Sequence, residues 1–336
     1  MSDSLRKQIL VGESERELPY SKGLTASSLM ITGLGPGPAY AVANKVEEVL
    51  LESGRDSISQ KDLHELTLDV LRRQTGEKYA EALLKWQAVT SLDVPLIILI
   101  GGGTGVGKST IATHLASRLS ITRVISTDAV REVLRSAFTA EMFPTLYASS
   151  FEADKAVRQP IPHSGDRLVI GFREQAAAVA VGARALIERA IAEGTDLIME
   201  GAHLVPGFLE GVDTENAVIV PLLLVVEDEE RHRSHFYWRT RDSSRRGGDR
   251  YLENFKKIRR LQKYMISSAL MREVPIVSHD DHDQTLSQIM DYIITRAFAA
   301  VEGRENVQED QELLERAVEV VDQQKEKGNA ERETVA

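Results

Sequence analysis

The residues with the clearest chemistry lie in a glycine-rich loop in the first third of the chain. Residues 102–109, GGTGVGKS, fit the spacing G-x-x-x-x-G-K-[ST]. In that spacing the glycines let backbone N–H groups converge on phosphate oxygens, the lysine reaches the β and γ phosphates, and the hydroxyl ligates Mg²⁺. The residues predicted to contact the phosphates of ATP are Gly102, Gly103, Thr104, Gly105, Val106, Gly107, Lys108, Ser109 and Thr110.

The segments on either side of this loop match what a phosphate loop requires. Residues 96–100 are five consecutive apolar residues, as in a buried strand of a parallel sheet. After the loop, Ile111, Leu115 and Leu119 recur at helical spacing. A chance glycine-rich turn is the alternative, but the order of strand, loop and helix favours a phosphate loop.

Two carboxylates follow later predicted strands. Asp128 comes after RVIST, and Glu200 ends TDLIME. Because ligands bind beyond the carboxyl ends of parallel strands, both should face the loop. Glu200 is predicted to order Mg²⁺ together with Ser109, or to position the nucleophile, with a surface charge as the alternative. Asp128 is predicted to be the base nearest the acceptor, and capping of the next helix is an equal alternative. Lys108, Asp128 and Glu200 form the predicted catalytic set.

An anionic acceptor would need cations of its own. Arg131 lies one turn after Asp128 and could hold an anion through two hydrogen bonds. The predicted substrate-binding residues are Asp128, Arg131, Arg173 and His203. His203 follows Glu200 in the segment GAHLVPG. A structural hydrogen bond is at least as consistent with this position as contact with substrate is.

A strongly basic segment follows the fourth predicted strand. Residues 231–263 contain 12 Lys or Arg and 3 Asp or Glu, although the whole protein has a net charge of −10. Two predicted helices flank DSSRRGGD, as in a lid whose arginines close on a triphosphate. Arg239 and Arg241 are therefore predicted to contact ATP, and they are also candidates for holding the acceptor. A solvated basic face and an RNA-contacting surface are the alternatives.

Residues 139–171 form an irregular stretch that is interrupted by three prolines, and we call this stretch the excursion. A stretch of this kind usually covers a substrate, and an ordinary surface loop is the alternative. A nucleoside acceptor would need an aromatic slot, but aromatic residues make up 5% of the chain, and Phe143, Tyr147 and Phe151 are the cluster near this stretch.

The composition limits the class of protein. The chain of 336 residues is 42% apolar and 27% charged and has neither a run approaching 18 apolar residues nor a signal-type apolar segment at its start. We therefore expect a cytoplasmic protein that does not bind membranes. Zero cysteines exclude disulfides and thiolate metal sites. The negative net charge argues against nucleic-acid binding. The polar run HDDHD at residues 279–283 is predicted to form a turn and a helix cap rather than a metal site.

The first 92 residues lack a catalytic cluster and are predicted to form short strands and a helical bundle. Val42 and Val46, and likewise Leu63 and Val70, are spaced as on one face of a helix. The order of these signals resembles the ATP-cone, a nucleotide-binding regulatory domain, over residues 9–86. The resemblance implies a second ATP site, with ATP as an effector. The predicted domains are 1–92, ATP-cone-like; 93–302, a P-loop kinase domain; and 303–336, an acidic tail that is helical or disordered.

The segments GGGTGVGKSTIA, VISTDAVREVLR, LIMEGAHLVPG and FYWRTR…RYLENFKKIRRLQKYMI together resemble the 2-phosphoglycerate kinase family, including its forms with an N-terminal ATP-cone. The resemblance covers most of the chain. It implies an α/β fold, a P-loop NTPase kinase core with a five-stranded parallel sheet and a helical lid, preceded by a small, mostly helical domain. This family transfers the γ-phosphoryl group of ATP to the 3-hydroxyl of 2-phosphoglycerate, giving 2,3-diphosphoglycerate and ADP.

The resemblance leaves alternatives open. The acceptor could be a related phosphorylated hydroxy acid, a nucleoside or a nucleotide, and the chain could be an ATP-sensing regulator without catalysis. ATP and Mg²⁺ are the implied cofactors, and a small phosphorylated hydroxy acid is the implied partner. The sequence does not decide the oligomeric state, and a homo-oligomer stays an open alternative.

Overall fold

The computed structural model describes residues 9–12, 18–90, 94–163, 165–207, 212, 216–242 and 249–301, with 238–242 and 301 described by backbone alone. The chain divides into two compact units. The first contains residues up to Leu92 together with Leu286–Glu302, and the second includes Asp93–Thr285. The predicted tail, 303–336, lies outside the described residues.

The described part of the first unit joins a small sheet to a group of helices. Its strands are β1 (Leu10–Val11), β2 (Leu18–Pro19) and β3 (Ser57–Ile58), in the order β2-β1-β3, with β1 antiparallel to β2 and parallel to β3. Its helices are α1 (Lys22–Met30), α2 (Pro36–Glu52), α3 (Gln60–Thr75) and α4 (Glu77–Thr90). Val42, Val46 and Val70 are buried in its core, and Leu63 packs against it, so the predicted helix faces are confirmed.

The described part of the second unit is built on a five-stranded parallel sheet, as the sequence predicts. Its strands are β4 (Leu96–Gly102), β5 (Val124–Ser126), β6 (Leu197–Gly201), β7 (Val218–Val225) and β8 (Ile276–Ser278), in the order β5-β6-β4-β7-β8. Every residue of β4 is buried, as expected for a strand covered on both faces. Glu200 pairs in register with Ile100 on one side and Ser126 on the other, so these three strands end close together.

Helices connect the strands of this sheet, and one more helix follows the last strand. They are α5 (Lys108–Leu119), α6 (Thr127–Ala137), α7 (Arg167–Ala192), α8 (Glu229–Asp242), α9 (Asp249–Glu253), α10 (Phe255–Met271) and α11 (His282–Val301). Within the described ranges, none of the helices combines the length and apolar character needed to cross a membrane.

The predicted irregular stretch contains two 3₁₀ segments, Pro144–Tyr147 and Ser150–Ala156. Helix α7 begins at Arg167, before the predicted end of that stretch at residue 171. The reason is a helix cap, because Asp166 Oδ1 accepts hydrogen bonds from the backbone N–H groups of Leu168 and Val169, at 3.0 and 3.3 Å.

Helix α11 is divided between the two units near Leu286. This differs from the predicted kinase domain at 93–302, which would contain the whole helix. Leu286 is fully buried, and Asp291 forms an ion pair with Lys78 of the first unit. The apolar face of α11 therefore belongs to the core of the first unit from Leu286 onward.

Candidate active site

The glycine loop leaves the buried strand β4 and leads into α5. Gly105 and Gly107 have φ angles of 85° and 92°, in the left-handed region that favours glycine. A Cβ on Gly102 would lie 2.4 Å from the carbonyl oxygen of Leu224, and one on Gly105 would lie 2.3 Å from the Phe236 ring. Both sterics and backbone conformation therefore require glycine in this loop.

The first turn of α5 is suited to bind an anion. The residue before it, Gly107, has no side chain that could accept from the first N–H groups of the helix, and such N–H groups can bind an anion. Lys108 is 9% exposed, and its Nζ donates a hydrogen bond of 2.7 Å to the carbonyl oxygen of Gly103. The loop thus brings backbone N–H donors and a buried cation together, which is the chemistry that phosphate groups need.

Glu200 and Ser109 meet beside the loop. Glu200 is the penultimate residue of β6 and is 7% exposed. Ser109, in the first turn of α5, donates a hydrogen bond of 2.9 Å from Oγ to Glu200 Oε1. The structure therefore brings together the two residues that the sequence assigned to the metal.

The oxygen atoms of this pair suit Mg²⁺. Among the described residues, no group of three or more His, Cys, Asp or Glu is arranged to hold a metal ion. Mg²⁺ usually takes only one or two protein oxygens and completes its shell with phosphates and water. A hydroxyl and a buried carboxylate beside a phosphate loop fit an ion of that kind. The run at residues 279–283 forms the predicted turn and cap, since Asp281 Oδ1 accepts from the N–H of Gln284 at 2.8 Å.

Asp128 lies in the first turn of α6 without capping the helix. The cap is Ser126, whose Oγ accepts from the N–H of Ala129 at 3.1 Å, so Asp128 is not the N-cap, although its charge does lie in the first turn of the helix. The Asp128 side chain is 73% exposed and lies 3.7 Å from a guanidinium nitrogen of Arg131. Arg131 is only 19% exposed, and its other terminal nitrogen donates to the carbonyl oxygen of Ala148 at 3.2 Å. Arg131 thereby connects α6 to the excursion.

His203 is 2% exposed and has a protein partner at each ring nitrogen. Its Nδ1 lies 2.9 Å from Thr127 Oγ1, and its Nε2 lies 3.2 Å from Gln175 Oε1. Gln175 donates from its amide nitrogen to the carbonyl oxygens of Thr145 and Ala148, so its Oε1 accepts. His203 therefore carries its proton on Nε2 and accepts from the Thr127 hydroxyl at Nδ1.

The electrostatics of His203 indicate which charges surround it. Desolvation by burial lowers its pKa from 6.5 to about 4, the charge of Asp128 raises it, and the charges of Arg131 and Lys108 lower it further. His203 is thus neutral at physiological pH. Of the two alternatives for this residue, the contacts match the structural hydrogen bond.

The remaining predicted cations differ in how they are placed. Arg173 is exposed on α7, two positions before Gln175 and therefore on a different face of that helix. Arg239 and Arg241, the predicted lid arginines, lie outside the residues whose side chains are described.

The basic segment finds acidic partners within the chain. Arg250 forms an ion pair with Glu152, and Lys257 Nζ lies 2.8 Å from Asp154 Oδ2. Arg260 Nε lies 2.6 Å from Asp166 Oδ2. These pairs connect α9 and α10 to the excursion. A basic segment in an acidic chain needs an acidic partner, and Glu152, Asp154 and Asp166 supply it in part.

No protein-family model matches the sequence. The chain is 38% identical over 289 residues to the 2-phosphoglycerate kinase of Pyrococcus furiosus, covering 86% of this chain and 94% of that protein. It is 37% identical over 298 residues to the 2-phosphoglycerate kinase of Methanocaldococcus jannaschii, covering 89% of this chain and 95% of that protein. The chain belongs to the 2-phosphoglycerate kinase family.

Solved structures similar to this 2-phosphoglycerate kinase family member include a gluconokinase from Sinorhizobium meliloti, with a TM-score of 0.35 and 13% identity over 62% of this chain and 95% of that one. A shikimate kinase from Acinetobacter baumannii also gives 0.35, with 14% identity over 62% of this chain and 95% of that one. Likeness of this extent adds nothing to the topology described above.

Two residues of the site in this family member are not predicted from the sequence. Thr127 ends the predicted strand RVIST, but in the structure it begins α6 and bonds to His203. Its signal was the glycine at 201, where a Cβ would lie 1.8 Å from Thr127 Oγ1. Gln175 lies in an alanine-rich helix and gave no signal except that it is a polar residue on the buried face.

Proposed function

We propose that the chain transfers the γ-phosphoryl group of ATP to the 3-hydroxyl of 2-phosphoglycerate, giving 2,3-diphosphoglycerate and ADP. The observation that carries this proposal is the Ser109–Glu200 pair beside a glycine loop, in a chain of the 2-phosphoglycerate kinase family. Phosphoryl transfer needs little covalent help from the protein, because positioning and positive charge supply most of the acceleration.

In this proposal the glycine loop holds the triphosphate. The N–H groups of residues 102–110 bind the phosphate oxygens, and Lys108 binds the β and γ phosphates. Ser109 and Glu200 would hold Mg²⁺, and the bound ion would supply positive charge that offsets the negative charge of the phosphates. Arg239 and Arg241 remain proposed contacts to the triphosphate from the lid.

Asp128 is the proposed base that accepts the proton of the acceptor hydroxyl. Its exposed carboxylate is consistent with that role, because it is open to a ligand and is not used as a cap. Arg131 is the proposed cation for the anionic groups of the acceptor. Its Nε is buried and has no hydrogen-bond partner within the described part of the chain, so a donor is available there. Arg173 stays a second candidate, and His203 acts by holding Thr127 at the start of α6.

The first unit is proposed to be a regulatory, ATP-cone-like domain that binds ATP as an effector. Its support is the order of its strands and helices, which agrees with the pattern that carried the resemblance. No residue of this unit is assigned to the nucleotide.

A nucleoside acceptor is not favoured by the aromatic residues of the excursion. Phe151 is 4% exposed and lies 5.6 Å, between ring centres, from Tyr251. The Tyr147 hydroxyl lies 2.7 Å from the carbonyl oxygen of Phe138, to which it donates, and 2.9 Å from that of Arg135. These rings are engaged in packing and hydrogen bonding within the protein.

The proposed function is tested by a screen of acceptors with ATP and Mg²⁺. 2-Phosphoglycerate, 3-phosphoglycerate, glycerate and adenosine are each incubated with the full chain, and ADP release is followed. We expect turnover with 2-phosphoglycerate well above that with the other three. Turnover that is highest with adenosine, or equal in all four, would contradict the proposal.

A further inference from the structure

Three histidines contact successive carbonyl groups of the phosphate loop. His232 Nε2, His235 Nδ1 and His279 Nδ1 lie 2.9, 2.8 and 2.8 Å from the carbonyl oxygens of residues 104, 105 and 106, respectively. We call these residues the histidine clamp. Two of them are three positions apart on α8 and share one face of that helix, whereas His279 directly follows β8. Two separate elements thus converge on one side of the loop.

A carbonyl oxygen only accepts, so each clamp histidine donates through its named nitrogen. Burial lowers the pKa of His232 to about 4, so its ring is neutral with the proton on Nε2. Its Nδ1 then accepts, and it lies 3.5 Å from a terminal nitrogen of Arg259. Arg259 is itself held by the carbonyl oxygen of Val226 at 2.6 Å. The proton of His232 is therefore positioned by a buried arginine.

The geometry of the peptide bond links these contacts to the direction in which the N–H groups of the loop point. In a planar trans peptide, the carbonyl of one residue and the N–H of the next point in opposite directions. The described residues contain no cis peptide. Holding the carbonyls of residues 104–106 toward the clamp therefore aims the N–H groups of residues 105–107 toward the opposite side of the loop. These N–H groups are among the predicted phosphate contacts.

Close packing keeps the loop against the clamp. A Cβ on Gly107 would lie 2.6 Å from the ring of His279, and one on Gly105 would lie 2.3 Å from the ring of Phe236. Phe236 stacks on His232 with 5.5 Å between ring centres and an interplanar angle of 29°. The outer face of the loop thus lies directly against these rings, which leaves its peptides little room to rotate.

We propose that the histidine clamp sets the affinity of the loop for nucleotide phosphates by keeping the N–H groups of residues 105–107 aimed at them. The clamp residues are positioning residues, because they act through the loop peptides. The inference rests on the proposed function, since it requires the loop to bind ATP.

The donor position in His235 and His279 gives a specific rule for substitution. The amide nitrogen of asparagine is attached to Cγ, as Nδ1 is in histidine, whereas that of glutamine lies one bond further away. Asparagine at either position therefore keeps the donor in place, glutamine displaces it, and leucine removes it.

The test uses the full chain and six variants, His235→Leu, His235→Asn, His235→Gln, His279→Leu, His279→Asn and His279→Gln. ATP and adenosine affinities are measured by calorimetry. The values of kcat and KM, which report the catalytic loop and not the ATP site proposed for the first unit, are measured with 2-phosphoglycerate. Each leucine variant should weaken ATP binding roughly 2- to 10-fold, as expected for the loss of one hydrogen bond. KM for ATP should rise in proportion, and both adenosine affinity and KM for the acceptor should not change. Asparagine should restore ATP affinity.

His163→Leu is the matched control, because His163 is an exposed histidine outside α5, α8 and β8. Leucine variants that bind ATP as tightly as the parent would overturn the clamp while leaving the proposed function intact. A parent protein that does not bind ATP would instead show that the proposed function fails, and the clamp with it. If the leucine variants do not fold, equal ATP affinity of the asparagine and glutamine variants would overturn the inference.

Discussion

The Ser109 hydroxyl donates a hydrogen bond of 2.9 Å to Glu200 Oε1, which joins the first turn of α5 to the end of β6. The two residues are 91 positions apart in the chain, and the parallel pairing of β4 with β6 brings them together. A hydroxyl that follows a phosphate loop and a buried carboxylate on the adjacent strand form a site where a bound nucleotide and its metal ion would meet.

Replacing Glu200 should change the metal requirement. Glu200→Gln keeps the shape of the side chain but removes the charge that would stabilise Mg²⁺ and its waters. We expect the Mg²⁺ concentration for half-maximal rate to rise, as measured by titrating Mg²⁺ at saturating ATP. Asp128→Asn is the matched control and should leave this concentration unchanged. The reverse pattern would exchange the roles of the two carboxylates.

Replacing Asp128 should affect the rate and spare the fold. A general base typically contributes a factor of ~10² to 10⁴, so Asp128→Asn should lower kcat by about that much. The melting temperature should not change, because the side chain is exposed and Ser126 caps the helix. Ser126→Ala should give the opposite result, a loss of about 1 kcal/mol in stability with the rate retained. An Asp128→Asn enzyme at nearly full rate would exclude the base.

The buried histidine His203 should make stability depend on pH. Its pKa is lowered from 6.5 to about 4 in the fold. Below pH 6.5 the unfolded chain therefore binds a proton that the folded protein does not bind until about pH 4, so stability is full above 6.5 and falls as the pH decreases. The loss from this one residue should reach roughly 2 kcal/mol at pH 5, since one pKa unit corresponds to about 1.4 kcal/mol.

Urea unfolding of the parent and of His203→Gln at pH 7.5 and pH 5 measures this effect. The variant should be less stable at pH 7.5, because its hydrogen bonds are altered, but should lose less stability on acidification. Equal losses in the two proteins would show that the fold does not lower the pKa of His203.

The division of α11 between the units changes what a truncated chain should do. Removing residues 1–92 alone would expose the buried side chains of α11, among them Leu286, Ile289 and Ile293. We expect that protein to aggregate, whereas residues 93–285 should remain soluble and folded, as judged by size-exclusion chromatography and thermal unfolding. A soluble 93–336 fragment with an unchanged response to ATP would contradict both this account of α11 and the regulatory role proposed for the first unit.

Sequence reasoning succeeded where local pattern and fold agree. The continuous apolar run of β4 predicted a buried parallel strand, and the spacing around Lys108 predicted the loop that follows it. It failed where the contacts of a residue or helix depend on partners that are distant in the chain. The periodicity of α11 shows that one face is buried, but it cannot identify the unit that buries it. Ser126, rather than Asp128, caps α6. The sequence could not decide between them, because both residue types are good caps and only the position of the helix start distinguishes them.

The histidines illustrate the same limit. His232 and His235 lie in a segment dominated by positive charge, and nothing in their spacing indicates that they contact the loop carbonyls of Thr104 and Gly105. Similarly, the charge of the basic segment indicated an acidic partner, but not that this partner lay in the excursion.

The most direct measurement of the central claim is identification of the product by ³¹P nuclear magnetic resonance. The full chain is incubated with ATP, Mg²⁺ and 2-phosphoglycerate, and Lys108→Ala serves as the matched variant, because it removes the cation that would bind the β and γ phosphates. The account predicts 2,3-diphosphoglycerate and ADP in equal amounts with the parent, and neither with a folded Lys108→Ala protein. ADP that appears with inorganic phosphate alone, or product formed equally by both proteins, would contradict it.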